Sequence, residues 1–254
     1  MKICIDAGHD EGYNPSPCDP RYCEGTRMFR LQEFLKTELT RYGFEVVCTR
    51  ERVQDNPSLA ERGAMARGCA LLLSLHSNAV GNLQNETVDY VRVYYPVTRR
   101  EEPLARELSE LIAAVMGTRQ EPQYLVRWNS SGTADYYGVI RHAAEVGTAA
   151  MILEHSFHTH PRSTEWLRSD ENLHRLAAAE AALLAEYYGM EEQDVRYERL
   201  KDIQEPYYRP TVEKLLEKGI LLGKGGSGEE TIIDLGEDAL RILVLLDRSG
   251  TFDK

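Results

Sequence analysis

Two histidines in this chain follow short apolar runs. His9 closes Ile3-Cys4-Ile5-Asp6-Ala7-Gly8-His9, and His76 closes Leu72-Leu73-Ser74-Leu75-His76. If both runs are buried strands of an open α/β sheet, both imidazoles emerge at carboxyl ends, where such sheets gather their ligands. Gly8 lets the backbone turn there. Either histidine alone reads as a hydrogen-bonded loop residue, but on neighbouring strands one cation can bridge the two. Catalytic zinc takes three protein ligands and keeps one position for water, so a third donor is required. Glu24 is the best placed: it precedes a helix expected to begin near Arg27, on the return from the loop that leaves His9. Glu33 and Glu38 are alternatives that lie well inside that helix. Taken by itself, Glu24 would only favour a helix N-terminus electrostatically.

A second carboxylate is equally conspicuous. The apolar run Ala149-Ala150-Met151-Ile152-Leu153 delivers Glu154, and His155, Ser156, Phe157, His158 and His160 come after it. A carboxylate at the end of a central strand is costly to bury without a task or a partner. The task would be to take a proton from the metal's water and hand it to a leaving amine, a role that adds typically about 10²–10⁴-fold. His155, His158 and His160 could be further metal donors. They form no HExxH pattern and are expected in a loop after the strand, which favours roles in orienting ligands or contacting substrate. Cys18 and Cys23 flank the loop near the expected metal and read as ordinary thiols, with extra ligation or a local disulfide as alternatives.

The elements that must position these residues are set by periodicity. Lys2 to Asp6, Glu45 to Cys48, Ala70 to Leu75, Tyr90 to Tyr95 and Ala149 to Leu153 read as strands, short and mostly apolar as buried strands are. Met28, Leu31, Leu35 and Leu39 recur at helical spacing, as do Leu104, Leu108, Leu111, Ile112 and Val115. A third helix is expected over Glu171 to Tyr188, with Leu173, Leu176, Leu183, Leu184 and Tyr187 inward. This alternation predicts an α/β fold with a mostly parallel central sheet flanked by helices. The apolar period stops after Tyr188 at Gly-Met-Glu-Glu-Gln-Asp, which reads as a linker. Residues 1–190 are therefore expected to form one domain and residues 197–254 a small, mainly helical C-terminal unit. In that unit Tyr207-Tyr208-Arg209-Pro210 leads into a helix over Thr211 to Lys218, and a second helix runs near Glu237 to Leu246. Thr211 and Glu237 stand where helix-start residues would. Between them, Lys224-Gly225-Gly226-Ser227-Gly228 lacks the phosphate-loop spacing and reads as a flexible turn. A tail of this size is marginal as an independent core, so docking or pairing with a second copy is expected of it.

Composition excludes some classes. The 254 residues are 42% hydrophobic and 28% charged, ordinary values for a globular protein. Thirty Lys+Arg against 41 Asp+Glu give a formal charge of −11, which disfavours nucleic acid as a partner. No stretch reaches the roughly 18 apolar residues of a membrane span. The opening Met1-Lys2-Ile3-Cys4-Ile5-Asp6 is too short an apolar run for a secretory signal, so cytoplasmic synthesis is expected. Five cysteines without repeated spacing predict mostly reduced thiols.

Together the motifs resemble one family. Ile3-Cys4-Ile5-Asp6-Ala7-Gly8-His9, a glutamate before the first long helix, Gly43-Phe44-Glu45-Val46 with Thr49-Arg50, Ser74-Leu75-His76-Ser77-Asn78-Ala79, and Ile152-Leu153-Glu154-x-x-Phe157 are similar, in order and spacing, to the zinc N-acetylmuramoyl-L-alanine amidases. The resemblance spans roughly residues 1 to 190. It implies that His9, Glu24 and His76 bind Zn2+, that Glu154 is catalytic, and that the substrate is peptidoglycan, cut between N-acetylmuramic acid and L-alanine. The family's usual Pro-Gly-His-Gly-Gly start is here Ala7-Gly8-His9-Asp10-Glu11, and its common Glu-x-Gly-Phe end is Glu154-His155-Ser156-Phe157. Those departures, with Asp135-Tyr136-Tyr137-Gly138-Val139-Ile140-Arg141, resemble clostridial and clostridial-phage lysins. That likeness implies an endolysin reaching the cell wall by holin-type export or lysis. The tail is similar to short helical units that attach proteins to bacterial surfaces, with self-association as a homo-oligomer the alternative. Two other readings remain at this point: a wall-binding module without catalysis, and a zinc peptidase or amidohydrolase acting on another small amide.

Overall fold

The computed structural model describes residues 1–192, 196–203 and 208–253. The chain divides into two compact units, Met1–Glu192 and Gln193–Lys254.

In the first unit, strands β1 (Lys2–Ala7), β2 (Glu45–Cys48), β3 (Leu71–Asn78), β4 (Arg92–Tyr94), β5 (Gln123–Leu125) and β6 (Ala149–Phe157) form one sheet in the order β2-β1-β3-β6-β4-β5. The pairings β2-β1, β1-β3, β3-β6 and β4-β5 are parallel, and β4 runs antiparallel to β6. The sheet is thus mostly parallel, as expected.

Continuous apolar strands need cover on both faces, and side chains alternate between them. Ile3 and Ile5 of β1, Leu71, Leu73 and Leu75 of β3, and Met151 and Leu153 of β6 enter the larger core. Helices α1 (Glu24–Arg41), α3 (Glu102–Met116) and α6 (Asp170–Tyr188) fill that face, with Met28, Leu31, Leu35 and Leu39 as the stripe of α1. Cys4, Leu72, Ala150 and Ile152 point the other way, toward Val139, Ile140 and Ala143 of α4 (Gly138–Glu145) and Ala66. Helix α2 (Leu59–Met65) packs beside α4 on that thinner layer and is held by a capping box between Ser58 and Glu61. Helix α5 (Pro161–Arg168) links β6 to α6.

Several boundaries differ from the sequence reading. Strand β3 continues past His76 to Asn78, and β6 past Glu154 to Phe157, so His155 stands in the strand rather than in the loop expected after it. Polar side chains at the strand ends hid the continuation. Helix α1 begins at Glu24 itself, not near Arg27. Tyr187 is 44% exposed rather than inward, because the buried line of α6 passes through Leu176, Glu180 and Leu184.

The second unit contains β7 (Arg196–Arg199), α7 (Arg209–Glu217), β8 (Ile232–Gly236) and α8 (Glu237–Arg248). Its two helices come with an antiparallel pair, β7-β8, which the periodicity missed because only one residue in each strand is buried. Thr211 lies inside α7, where its hydroxyl donates to Asp247. The glycine-rich turn closes on β8 through Lys224 N–H to the Ile232 carbonyl and Ile232 N–H to the Gly225 carbonyl. Tyr197, Leu200, Ile203, Tyr208, Val212, Ile233, Leu240 and Val244 make its core. Of the linker read after Tyr188, Gln193 and Asp194 lie outside the described residues, as does Tyr207.

Leu73 is fully buried on the central strand, between Ile5 and Met151 in register. Replacing it by alanine is expected to cost about 2–5 kcal/mol. A shift of the urea midpoint to lower concentration, with an unchanged slope, is the check.

Candidate active site

The parallel register sets three strand ends side by side. Ala7 pairs with Leu75, and His76 pairs with Glu154, so the residues at the ends of β1, β3 and β6 share one edge of the sheet. His9 leaves β1 with φ of 63°, a left-handed conformation that non-glycine residues seldom adopt. Stacking of its ring on Tyr13 at 4.3 Å and donation from Arg62 Nη2 to its carbonyl at 2.8 Å hold it there. Gly8 is demanded by proximity: a Cβ at this position would fall 2.2–2.6 Å from three atoms of the His76 ring. Gly25 is demanded likewise, since its Cβ would meet the Asp10 carbonyl oxygen at 1.8 Å. The loop from His9 therefore returns tightly onto the start of α1.

That return places Glu24, 1% exposed, between the two imidazoles. Its Oε1 lies 3.0 Å from His76 Nδ1 and accepts from the Ser77 N–H at 3.0 Å. Its Oε2 accepts from Asn14 Nδ2 at 2.6 Å and lies 3.4 Å from His9 Nε2. The first turn of α1 adds its own dipole to this stabilisation. Burial alone would push the Glu24 carboxyl up. The hydrogen bonds and charges of His76 and His9 outweigh it and hold the group well below the usual carboxylate range. Burial would lower His76, but Glu24 raises it to about 9. Candidate ligand atoms of His9, Glu24 and His76 all lie within 4.8 Å of one another. A carboxylate and two imidazoles, crowded together in this way, are the donor set a divalent metal accepts.

Glu154 stands beside His76 on the adjacent strand and faces the same side of the sheet. Burial pushes its carboxyl up to about 7, opposed by the charge on His76 and assisted by that on Glu24. A group poised there can both take and return a proton near neutral pH. A cleft of about 240 Å³ opens beside the cluster, lined by His9, His76, Pro57, Leu59 and Val139 among others.

The three later histidines do not join the cluster. His155 is fully buried on the opposite face, its Nδ1 donating to the His76 carbonyl at 2.9 Å and its Nε2 lying 2.8 Å from Glu180 Oε1. It braces the strand that carries His76. His158 stacks on Tyr22, and its Nδ1 lies 2.9 Å from Ser77 Oγ, which Tyr22 also engages at 2.6 Å. This fixes Ser77, whose N–H serves Glu24. His160 is buried at the start of α5. Glu33 is exposed and pairs with Arg30, while Glu38 pairs with Arg41 and His174, so neither approaches the imidazoles. Cys18 donates to the Thr159 carbonyl, Cys23 immediately precedes α1 without a side-chain hydrogen bond to it, and all five cysteines are free thiols.

A supporting layer escaped the sequence reading. Asp6 accepts from Arg62, Ser74 and Thr49 under β1. Burial would raise its carboxyl, but the Arg62 charge and those hydrogen bonds keep it low. Arg50, fully buried, donates to the Gly25 carbonyl at 2.9 Å, and Gln32 bridges the Arg50 carbonyl to the Ala7 N–H. Asp6, Ser74, Thr49 and Arg50 fall inside the family-like motifs, but nothing in those motifs showed which partners they would meet.

Two imidazoles and two carboxylates thus meet along one edge of a mostly parallel α/β sheet. Comparisons with known proteins identify the family. Residues 3–186 match the family model described as N-acetylmuramoyl-L-alanine amidase, and the chain belongs to that family. Its fold is similar to the catalytic domain of the N-acetylmuramoyl-L-alanine amidase CwlV from Bacillus (Paenibacillus) polymyxa var. colistinus, with a TM-score of 0.62 and 20% identity over 75% of this chain and 99% of that one. It is likewise similar to the N-acetylmuramoyl-L-alanine amidase of Clostridium difficile 630 (0.62, 20%, over 74% and 96%) and to AmiC2 of Nostoc punctiforme (0.59, 19%, over 74% and 97%). A sequence search of curated proteins finds no match.

Gly8→Ala is expected to displace the His76 ring and weaken divalent-metal binding by more than about tenfold, in line with losses seen when ligand orientation is disturbed. Titration with a competing zinc indicator, alongside an unchanged far-ultraviolet circular dichroism spectrum, is the check.

Proposed function

We propose that this chain hydrolyses the amide joining N-acetylmuramic acid to L-alanine in bacterial peptidoglycan, with zinc held by His9, Glu24 and His76 and with Glu154 as general acid and base. The observation that carries this reading is the buried Glu24 carboxylate between two imidazoles, in register with Glu154, in a member of the amidase family.

When bound, zinc supplies a Lewis acid that brings the pKa of water to about 7 and polarises a carbonyl. The chain's own residues do the rest. Glu154 takes the proton of the attacking water on its carboxylate and returns it to the nitrogen of the leaving alanine, so one group serves both half-steps. Arg62, through the His9 carbonyl, and His155, through the His76 carbonyl, keep both imidazoles aimed while the charge on the substrate carbonyl changes. Leu59 and Val139 give the cleft an apolar side.

Glu154→Gln is expected to keep zinc bound at wild-type stoichiometry while amine release from purified wall falls by at least about 10²-fold. Turnover within a few-fold of wild type would remove Glu154 from the mechanism.

The second unit, in this reading, serves wall attachment or self-association, and the enzyme reaches the wall by holin-type export or after lysis, as an endolysin does. Ile220, Leu222, Ile242 and Leu245 are each about half or more exposed in that unit, more than its own packing requires. Full-length Leu222→Asp/Leu245→Asp is expected to lose co-sedimentation with wall sacculi or to shift to a smaller species in analytical ultracentrifugation. If neither changes, these apolar side chains do not serve the unit's task.

A further inference from the structure

Arg92 of β4 is directly opposite Glu154 of β6 in the antiparallel pairing, so both side chains stand on the same face of the sheet. Opposite charges in such a position would ordinarily pair. Here the guanidinium leans the other way, toward β5: Nε and Nη2 donate to Gln123 Oε1 at 3.1 and 2.8 Å, Nη1 donates to the Tyr94 hydroxyl at 3.1 Å, and Nη2 also donates to the Tyr90 hydroxyl. The rings of Tyr90 and Tyr94 flank it at 5.0 and 5.8 Å. Every one of these partners is a neutral oxygen or a ring, and among the described residues no carboxylate forms an ion pair with Arg92. Arg92 is half-buried, and its charge reaches Glu154 through space without a direct ion pair.

The same face continues outward through aromatic groups to a second such arginine. Tyr94 packs on Tyr137 at 4.6 Å, and Arg127 lies 3.7 Å over the ring of Tyr136 and donates to the Tyr137 hydroxyl at 3.2 Å. Arg127 likewise has no ion pair among the described residues. Trp128 and Tyr136 are each 48% exposed on the hairpin that the Trp128–Asp135 bridge closes. A guanidinium held by neutral partners, with one Nη1 N–H still to give and an aromatic surround, is suited to receive a carboxylate from outside.

We infer that Arg92 is a specificity-determining residue that receives a carboxylate of the peptide on the leaving side of the scissile amide. The inference rests on the amidase reading above. Strand spacing places the Arg92 head about two strands, or about 10 Å, from the β6 line. An extended dipeptide spans about 7 Å, and a side-chain or main-chain carboxylate covers the remainder. A leaving peptide whose residue after alanine carries a free carboxylate presents an anion to Arg92, and the same peptide with that carboxyl amidated does not. The aromatic hairpin would then carry the next part of the chain by apolar contact.

The test compares two soluble substrates, muramoyl-L-alanyl-D-glutamate and its D-isoglutamine amide, with wild-type enzyme and the full-length Arg92→Gln and Arg92→Lys variants. Wild type is expected to favour the free acid by about 10-fold or more in kcat/KM, the range for a hydrogen bond to a charged group. That preference should shrink at high salt. Arg92→Gln should bring the acid-to-amide ratio close to one, chiefly through KM, and Arg92→Lys should keep part of it. A wild-type ratio near one overturns the inference, as does an equal loss on both substrates in Arg92→Gln, which is what a structural role or an influence on Glu154 would give. If wild type cleaves neither substrate and also releases no amine from whole wall, the amidase reading itself fails.

Discussion

A carboxylate taken out of water must be met on every lone pair or it is protonated. Glu24 meets this demand with an asparagine amide, a backbone N–H and two imidazoles, all within 3.4 Å. Much of the surrounding structure answers to that one group. The tight return from His9 to α1, the glycines at 8 and 25, and the Tyr22–Ser77–His158 network each fix one of its partners. The partners come from three separate segments, so the site exists only when β1, β3 and the start of α1 are all in register.

The sheet extends this logic to Glu154. Burial beside a second carboxylate pushes it up, whereas the same burial with two imidazoles holds Glu24 down. Two glutamates in one site are thus driven toward opposite protonation by their company, the condition for dividing ligand and acid/base work between them. The thin α2/α4 layer matters here, because the thicker face is filled by three helices and could admit no substrate.

Much of this was legible before the fold was known. Short, mostly apolar runs announced β1, β2, β3 and β6, and strand-end reasoning reached His9, His76 and Glu154. Glu24 was harder, since a glutamate before a helix has an ordinary electrostatic explanation, and family-like spacing weighed more than physics. What pattern could not reach was cross-chain partnership. Nothing local tells that His155 braces His76 toward Glu180, 25 residues later, or that Asp6 needs Arg62, 56 residues later. The short pieces were missed for a related reason: α2 and β5 expose much of their surface, α4 is only eight residues long, and β7 and β8 bury too few side chains to show a period.

The central claim is that a metal at His9, Glu24 and His76 drives cleavage of the muramoyl amide. Digestion of purified wall sacculi by the full chain, before and after chelation and again with zinc restored, tests it most directly. The account predicts new alanine amino groups without new reducing sugar, lost on chelation and regained at about one zinc per chain, the stoichiometry of a three-ligand catalytic site. Amine release that survives complete metal removal, or the appearance of reducing ends in its place, would contradict it.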